Sequence, residues 1–116
     1  TPKKTADWER SAALLARNAW MRAPSEDLCK LEVVAVFSRP KRLLRKKDPE
    51  ERLWHGSKPD IDNVVKSVAD SLVMAGVIRD DTQVVEIHAR KVYASKSEGP
   101  GVEVRLSSID IEPPSG

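Results

Sequence analysis

Apolar residues at helical spacing predict two amphipathic helices. The first covers residues 7–21, where apolar side chains recur every three or four positions: Trp8, Ala12, Leu15 and Ala19. The second begins near Asp62 or Asn63, because either side chain can accept the free N–H groups of a first helical turn. It ends near Gly76, since glycine readily adopts the left-handed conformation that closes helices. The apolar stripe of this second helix consists of Ile61, Val65, Val68 and Leu72.

Alternating apolar positions predict three strands. In residues 31–37, odd-numbered and even-numbered positions are both apolar toward the middle, which is typical of a strand covered on both faces. Residues 84–93 and 102–106 also have strand character, and the turn-forming segment 95–101 between them predicts a β-hairpin. The order helix, strand, helix, strand, strand (α-β-α-β-β) predicts an α+β fold in which two helices pack on one side of a small mixed sheet.

Length and composition place these elements in one domain. A chain of 116 residues builds one modest core, so we expect a single domain over residues 1–116, with a disordered tail at 110–116. Because 33% of the residues are charged and no apolar run can span a bilayer, we expect a cytoplasmic protein with no membrane partner. We also expect no organic cofactor. The single cysteine, Cys29, excludes an internal disulfide and a cysteine zinc site, so a bound metal would need oxygen ligands.

Charge is unevenly distributed along the chain. Residues 1–56 carry thirteen Lys and Arg against eight Asp and Glu, whereas residues 57–116 carry seven against ten. The irregular segment 38–58, here called the basic loop, holds a cation cluster suited to a polyanion such as DNA. A solvated loop without a ligand would show the same charge run, and Trp54 in this loop fits base stacking and packing equally well. The candidate DNA-binding residues are Arg39, Lys41, Arg42, Arg45, Lys46, Lys47 and Lys58.

Acidic residues concentrate in two short segments on either side of the second helix. Asp60 and Asp62 lie two positions apart in a segment that proline stiffens, so both side chains can point to one side of the chain. Asp80 and Asp81 lie in the turn between the second helix and the strand at 84–93. If that strand lies beside the strand at 31–37, we expect the turn to bring Asp81 back to the first two acids.

A cluster of three carboxylates would favour a divalent cation. Like charges a few ångströms apart oppose folding, and a bound cation relieves that repulsion. Magnesium takes carboxylate, water and phosphate oxygens, so one or two ions at this cluster would suit phosphodiester chemistry. Lys66, one helical turn after Asp62, could pair with that carboxylate or neutralise charge on a phosphate, and Asn63 could orient a water. Asp62 also has ordinary alternatives as a helix cap or as the ion-pair partner of Lys66, and Asp80 and Asp81 have one as turn residues.

Several of these residues together resemble a known family. Residues 58–66 (KPDIDNVVK), with Asp70, residues 75–77 and residues 80–85 (DDTQVV), closely resemble the RusA family of Holliday-junction resolvases. The likeness covers about residues 58–92 and includes the spacing of twenty-one residues between Asp60 and Asp81. It implies a small dimeric endonuclease, bacterial or phage-encoded.

The resemblance also implies a reaction and a site. The reaction is magnesium-dependent resolution of four-way-junction DNA by paired symmetric nicks, with Mn²⁺ able to substitute. The resemblance assigns Asp60, Asp62 and Asp81 as the catalytic, metal-binding acids and Lys66 as the catalytic cation, with Asp80 a weaker candidate. A two-fold homodimer follows, because a junction needs two cuts and one chain has one acidic cluster. Two alternatives stay open: a catalytically silent module that binds DNA junctions, and a nuclease that acts on flaps or forks.

Overall fold

The computed structural model describes residues 26–109. These residues form four strands and one long helix: β1 (Cys29–Phe37), β2 (Leu53–Trp54), α1 (Ile61–Met74), β3 (Val84–Tyr93) and β4 (Gly101–Ser108). Short 3₁₀ turns at Lys41–Leu43 and Asp81–Gln83 lie in the connections. The helix predicted at 7–21 and the tail predicted at 110–116 fall outside the described residues. The mixed sheet and its helix confirm an α+β fold.

Strand β1 lies inside the sheet, whose strand order is β2-β3-β1-β4. It runs parallel to β3 and antiparallel to β4. All three predicted strands are confirmed, but the predicted hairpin between β3 and β4 is wrong, because β1 separates them. Because β1 is the most apolar strand, its position inside the sheet buries the most apolar surface. The seven-residue connection at 94–100 can pass over it, since crossing one strand spans only about 10 Å.

Helix α1 packs on one face of the sheet, and its register decides which side chains enter the core. The buried helix residues that meet β1 are Val64, Val68 and Leu72. The predicted stripe is therefore right at its last two positions and wrong at its first two. Ile61 is 40% exposed and Val65 is half-buried, because both lie on the flank of the helix that faces β3.

Local sequence accounts for both ends of α1. The helix begins at Ile61, with Asp60 at the capping position, slightly earlier than predicted. It ends at Met74, near Gly76 as predicted, and the φ of 77° at Gly76 lies in the left-handed region that favours glycine. The Val77 N–H then donates to the Leu72 carbonyl at 2.9 Å and turns the chain toward β3. No helix within residues 26–109 is long and apolar enough to cross a membrane.

Candidate functional site

A cleft of about 560 Å³ between α1 and β3 brings together three of the predicted site residues. Asp62 and Lys66 project into it from the helix, and Asp81 from the turn before β3. These polar groups surround an apolar floor formed by Val65, Ala69, Val84, Ile87 and Ala89. The parallel pairing of β1 with β3 places this cleft on the helix-covered face of the sheet. Two carboxylates and an ammonium group therefore share one open surface.

Asp60 lies at the N-terminal end of the same helix but outside the lining of the cleft. Its backbone carbonyl accepts the Val64 N–H at 3.1 Å, while its side chain makes no capping hydrogen bond. The ordinary alternative for this carboxylate, a helix cap, is therefore not used. Asp62 follows in the first turn, where the unpaired N–H groups of the helix favour negative charge.

The three acids do not form one cluster in the described part of the chain. Asp60 lies outside the cleft that Asp62 and Asp81 line. Within residues 26–109 no group of three or more Asp, Glu, His or Cys side chains is placed to hold a metal ion. The expectation that three carboxylates lie close enough to share a cation is therefore not met, although Asp62 and Asp81 line a common cleft.

Asp80 and Asp81 have different environments despite being neighbours. The Asp80 carboxylate accepts the Thr82 N–H at 2.9 Å and caps the short 3₁₀ turn, and this backbone hydrogen bond is the main cause of the lowered pKa of Asp80. The Gln83 side chain completes the arrangement by accepting the Asp80 N–H at 3.0 Å. Asp80 is thus engaged in holding the turn, which leaves Asp81 as the acid of this segment in the cleft.

Gln83 is a residue that the sequence analysis missed. It is buried, and its side-chain Nε2 donates to the Asp27 carbonyl at 3.0 Å, just before β1. The turn that carries Asp81 is therefore attached to the start of the central strand. The Asp80-x-x-Gln83 spacing of a capping box was the signal available in the sequence.

The carboxylates of the predicted site are not neutralised by neighbouring cations. Among residues 26–109, none of Asp60, Asp62 and Asp81 forms an ion pair within 4 Å, and the predicted pair between Asp62 and Lys66 is not formed. Asn63 is exposed on α1 and does not line the cleft. The uncompensated negative charge at this end of the protein is what a divalent cation would offset.

Arg39 differs from the other cations of the basic loop because it is buried. Only 8% of its surface is exposed. Its guanidinium donates to the carbonyls of Ala94 at 2.8 Å, Leu43 at 2.9 Å and Glu51 at 2.6 Å. Arg39 was grouped with the DNA-binding residues from the charge run alone. The structure instead places it inside the loop, where it ties the loop to the end of β3.

The remaining cations of the basic loop are exposed. Arg45 lies 3.5 Å from the Asp48 carboxylate, and Lys96 donates to the Arg45 carbonyl at 2.8 Å, so the middle of the loop is also braced. Within the basic loop, the cations for which the described residues provide no ion pair are Lys41, Arg42, Lys46, Lys47 and Lys58. A fixed backbone thus presents several unpaired positive charges to solvent.

Two aromatic side chains near the C-terminal end of the basic loop have opposite environments. Trp54, in β2, is 75% exposed. His55 is buried between Phe37 and Tyr93, with ring centroids 4.5 Å and 4.4 Å apart, and burial lowers its pKa. His55 is therefore the packing anchor of this segment, and the indole of Trp54 is available at the surface.

Lys91 is a second residue that the sequence analysis missed. Its Nζ atom, on β3, donates to the carbonyls of Ser57 at 2.6 Å and Pro59 at 2.7 Å. The segment it holds leads directly into Asp60. A lysine in an alternating strand carries no local signal of such contacts, because both carbonyls come from a segment more than thirty residues earlier.

Comparisons with known proteins agree with the motif. The profile of the family described as Endodeoxyribonuclease RusA matches residues 1–107. An uncharacterized Bacillus subtilis protein, YqaN, is 30% identical over 113 residues, which cover 93% of this chain and 77% of the relative. A crossover junction endodeoxyribonuclease RusA from Aquifex aeolicus is 40% identical over 48 residues, and one from Lactococcus phage r1t is 30% identical over 56 residues. Those two matches cover 41% and 48% of this chain, and 38% and 40% of the relatives. Because the profile match extends over nearly the whole sequence, this chain belongs to the RusA endodeoxyribonuclease family.

Proposed function

We propose that this chain is a metal-dependent, structure-selective DNA endonuclease that resolves Holliday junctions by paired symmetric nicks. The observation that carries the proposal is the cleft shared by Asp62, Lys66 and Asp81. Family membership supports the reaction class, and the relatives named crossover junction endodeoxyribonucleases support four-way DNA as the substrate. The active unit in this proposal is a two-fold dimer, because each junction receives two cuts.

The donor chemistry of the cleft fits magnesium, with manganese as a substitute. Carboxylate oxygens are hard ligands, and magnesium commonly uses only one or two of them while keeping water and phosphate oxygens as its other ligands. Asp60 and Asp62 would hold the ion from the start of α1, with Asp81 as the third metal-binding acid of the proposed site. The bound ion would supply Lewis-acid stabilisation of charge on the phosphodiester.

Lys66 and the exposed cations would act on the DNA itself. The ammonium group of Lys66 lines the cleft and can neutralise charge that develops on the scissile phosphate. The unpaired cations of the basic loop can hold phosphates on either side of the cut, and exposed Trp54 can stack on an unpaired base at the crossover. Phosphate contacts of this kind orient the duplex without reading its sequence.

The test compares nicking of a labelled four-way junction, a fork, a flap and a plain duplex in the presence of magnesium. The variants are Asp62→Asn, Asp81→Asn and the matched control Asp70→Asn, whose exposed carboxylate lies on α1 outside the cleft. Loss of a cleft carboxylate is expected to slow nicking by about 100-fold or more, since metal-assisted charge stabilisation is worth several kcal/mol. Junction binding is expected to persist in all three variants.

A second candidate is a catalytically silent module that binds junctions. The observation that favours it is that the described residues do not assemble three acids at one metal position. Junction binding without nicking by the wild-type protein would support this candidate and contradict the nuclease. Nicking of forks or flaps in preference to the junction would keep the enzyme and change its substrate.

A further inference from the structure

Few of the described hydrogen bonds attach the segment between β2 and α1 to the sheet. Residues 56–60 are all exposed, yet they lead into the acids at the start of α1. At the N-terminal end of this segment, His55 holds the chain to β3. Its ring is buried, and its backbone N–H donates to the Lys91 carbonyl at 3.2 Å. Beyond that point, the Lys91 side chain provides the described hydrogen bonds from the sheet to this segment.

Charge and short distance make the Lys91 contacts strong. Both are short hydrogen bonds from an ammonium group, at 2.6 Å and 2.7 Å, and such charge-assisted bonds are roughly twice as strong as neutral ones. Both bonds lie at an exposed part of the surface, so the ammonium charge and not burial accounts for their strength.

The second of these bonds bears directly on the acid motif. The Pro59 carbonyl belongs to the same planar peptide unit as the Asp60 nitrogen, so fixing its oxygen orients the backbone that carries Asp60. Asp60 also occupies the capping position just before α1, and Asp62 lies in the first turn of the helix. The Lys91 ammonium therefore helps to fix the peptide that leads into Asp60, while the packing of α1 against β1 also holds Asp62.

We propose that Lys91 is the positioning residue of the acid motif: its ammonium group holds the Ser57 and Pro59 carbonyls so that Asp60 and Asp62 meet a divalent cation in a fixed arrangement. The inference rests on the proposed function for the role of the cation. It assigns Lys91 no contact with DNA or with the reacting atoms. Groups that orient metal-binding side chains commonly account for about 10–100-fold in metal affinity or activity.

Lys96 offers a matched control on the same side of the molecule. Lys96, like Lys91, is half-buried, and its Nζ donates to the Arg45 carbonyl in the basic loop at 2.8 Å. The loop that it braces carries no acid of the motif. Lys96→Met therefore removes a similar lysine-to-carbonyl contact without touching the peptide before Asp60.

The experiment measures manganese binding by calorimetry, junction affinity in calcium and nicking in magnesium for the wild type, Lys91→Met, Lys91→Arg and Lys96→Met. Lys91→Met is expected to weaken manganese binding about tenfold and to lower kcat about 10–100-fold, with junction affinity changed less than twofold. Lys91→Arg, which keeps charge and donors, is expected to recover part of both losses. Lys96→Met is expected to keep the manganese affinity of the wild type, whatever its effect on DNA through the basic loop. Thermal unfolding of each variant fixes a common temperature at which all are folded.

Three results would overturn the inference. The first is unchanged manganese binding in Lys91→Met, and the second is an equal loss in Lys96→Met, which would indicate general loosening. The third is a wild type that binds no manganese. A wild type that binds manganese but does not nick any DNA would overturn the proposed nuclease, while the manganese titrations would still decide the role of Lys91.

Discussion

Replacing Arg39 with methionine removes the guanidinium that ties the basic loop to the sheet while keeping a long apolar stem in the buried position. Three carbonyls lose a close charged donor, those of Ala94, Leu43 and Glu51, and the Glu50 carbonyl loses a longer contact at 3.4 Å. A hydrogen bond to a charged group contributes about 1.5–3 kcal/mol, and an orphaned buried acceptor is costly. The Ala94 carbonyl belongs to a residue only 4% exposed, whereas the other two lie in the loop and can be hydrated. We therefore expect a loss of about 2–4 kcal/mol, well below the sum of three full bonds.

Equilibrium unfolding in urea measures this loss. With a slope of about 2 kcal/mol per molar urea, the middle of the usual range, the midpoint of Arg39→Met should fall by roughly 1–2 M. Arg42→Met, at an exposed neighbouring cation, is the matched control and should stay within about 0.5 kcal/mol of the wild type. Arg39→Lys keeps the charge but cannot reach several carbonyls at once, so it should lose nearly as much stability as Arg39→Met.

The stability of these variants also tests how the loop binds DNA. If Arg39 holds the loop, Arg39→Met should weaken junction binding although the residue itself is buried. A stability within about 0.5 kcal/mol of the wild type would refute the internal-brace argument. A wild-type stability in Arg39→Lys would show instead that a point charge, rather than the forked geometry, is sufficient.

Two further predictions concern charge. Hydrogen bonds from Arg52, and then from the Ser95 N–H, lower the pKa of Glu98 from 4.5 to about 2, so Glu98 stabilises the fold above pH 4.5 and that contribution disappears as the pH falls to about 2. Glu98→Gln should lower the melting temperature at pH 7, with the difference closing near pH 2; a gap independent of pH would contradict this linkage. Replacing Lys46 and Lys47 with glutamine should reduce the slope of log affinity for the junction against log salt by about 2, and an unchanged slope would remove both residues from phosphate contact.

Local sequence was sufficient for features that depend on neighbouring residues. The second helix, its glycine stop at Gly76 and all three long strands follow from periodicity and from the conformational freedom of one residue. The acid motif also identified the family, because residues 58–66 carry their chemistry in one continuous segment. These features need no knowledge of which distant segment lies alongside.

Tertiary structure decided every feature that depends on a distant partner. Periodicity says which face of β3 and β4 is apolar but not which strand lies beside them, so the predicted hairpin was wrong. The same limit explains why the sequence did not predict the bracing roles of Arg39 and Lys91. Their charged groups bind backbone carbonyls of segments that the sequence cannot place next to them. It also explains why Asp62 and Asp81 line one cleft while Asp60 lies outside its lining, although the family motif contains all three acids. A side chain's type is encoded at its own position, whereas its partners are set by how the whole chain packs.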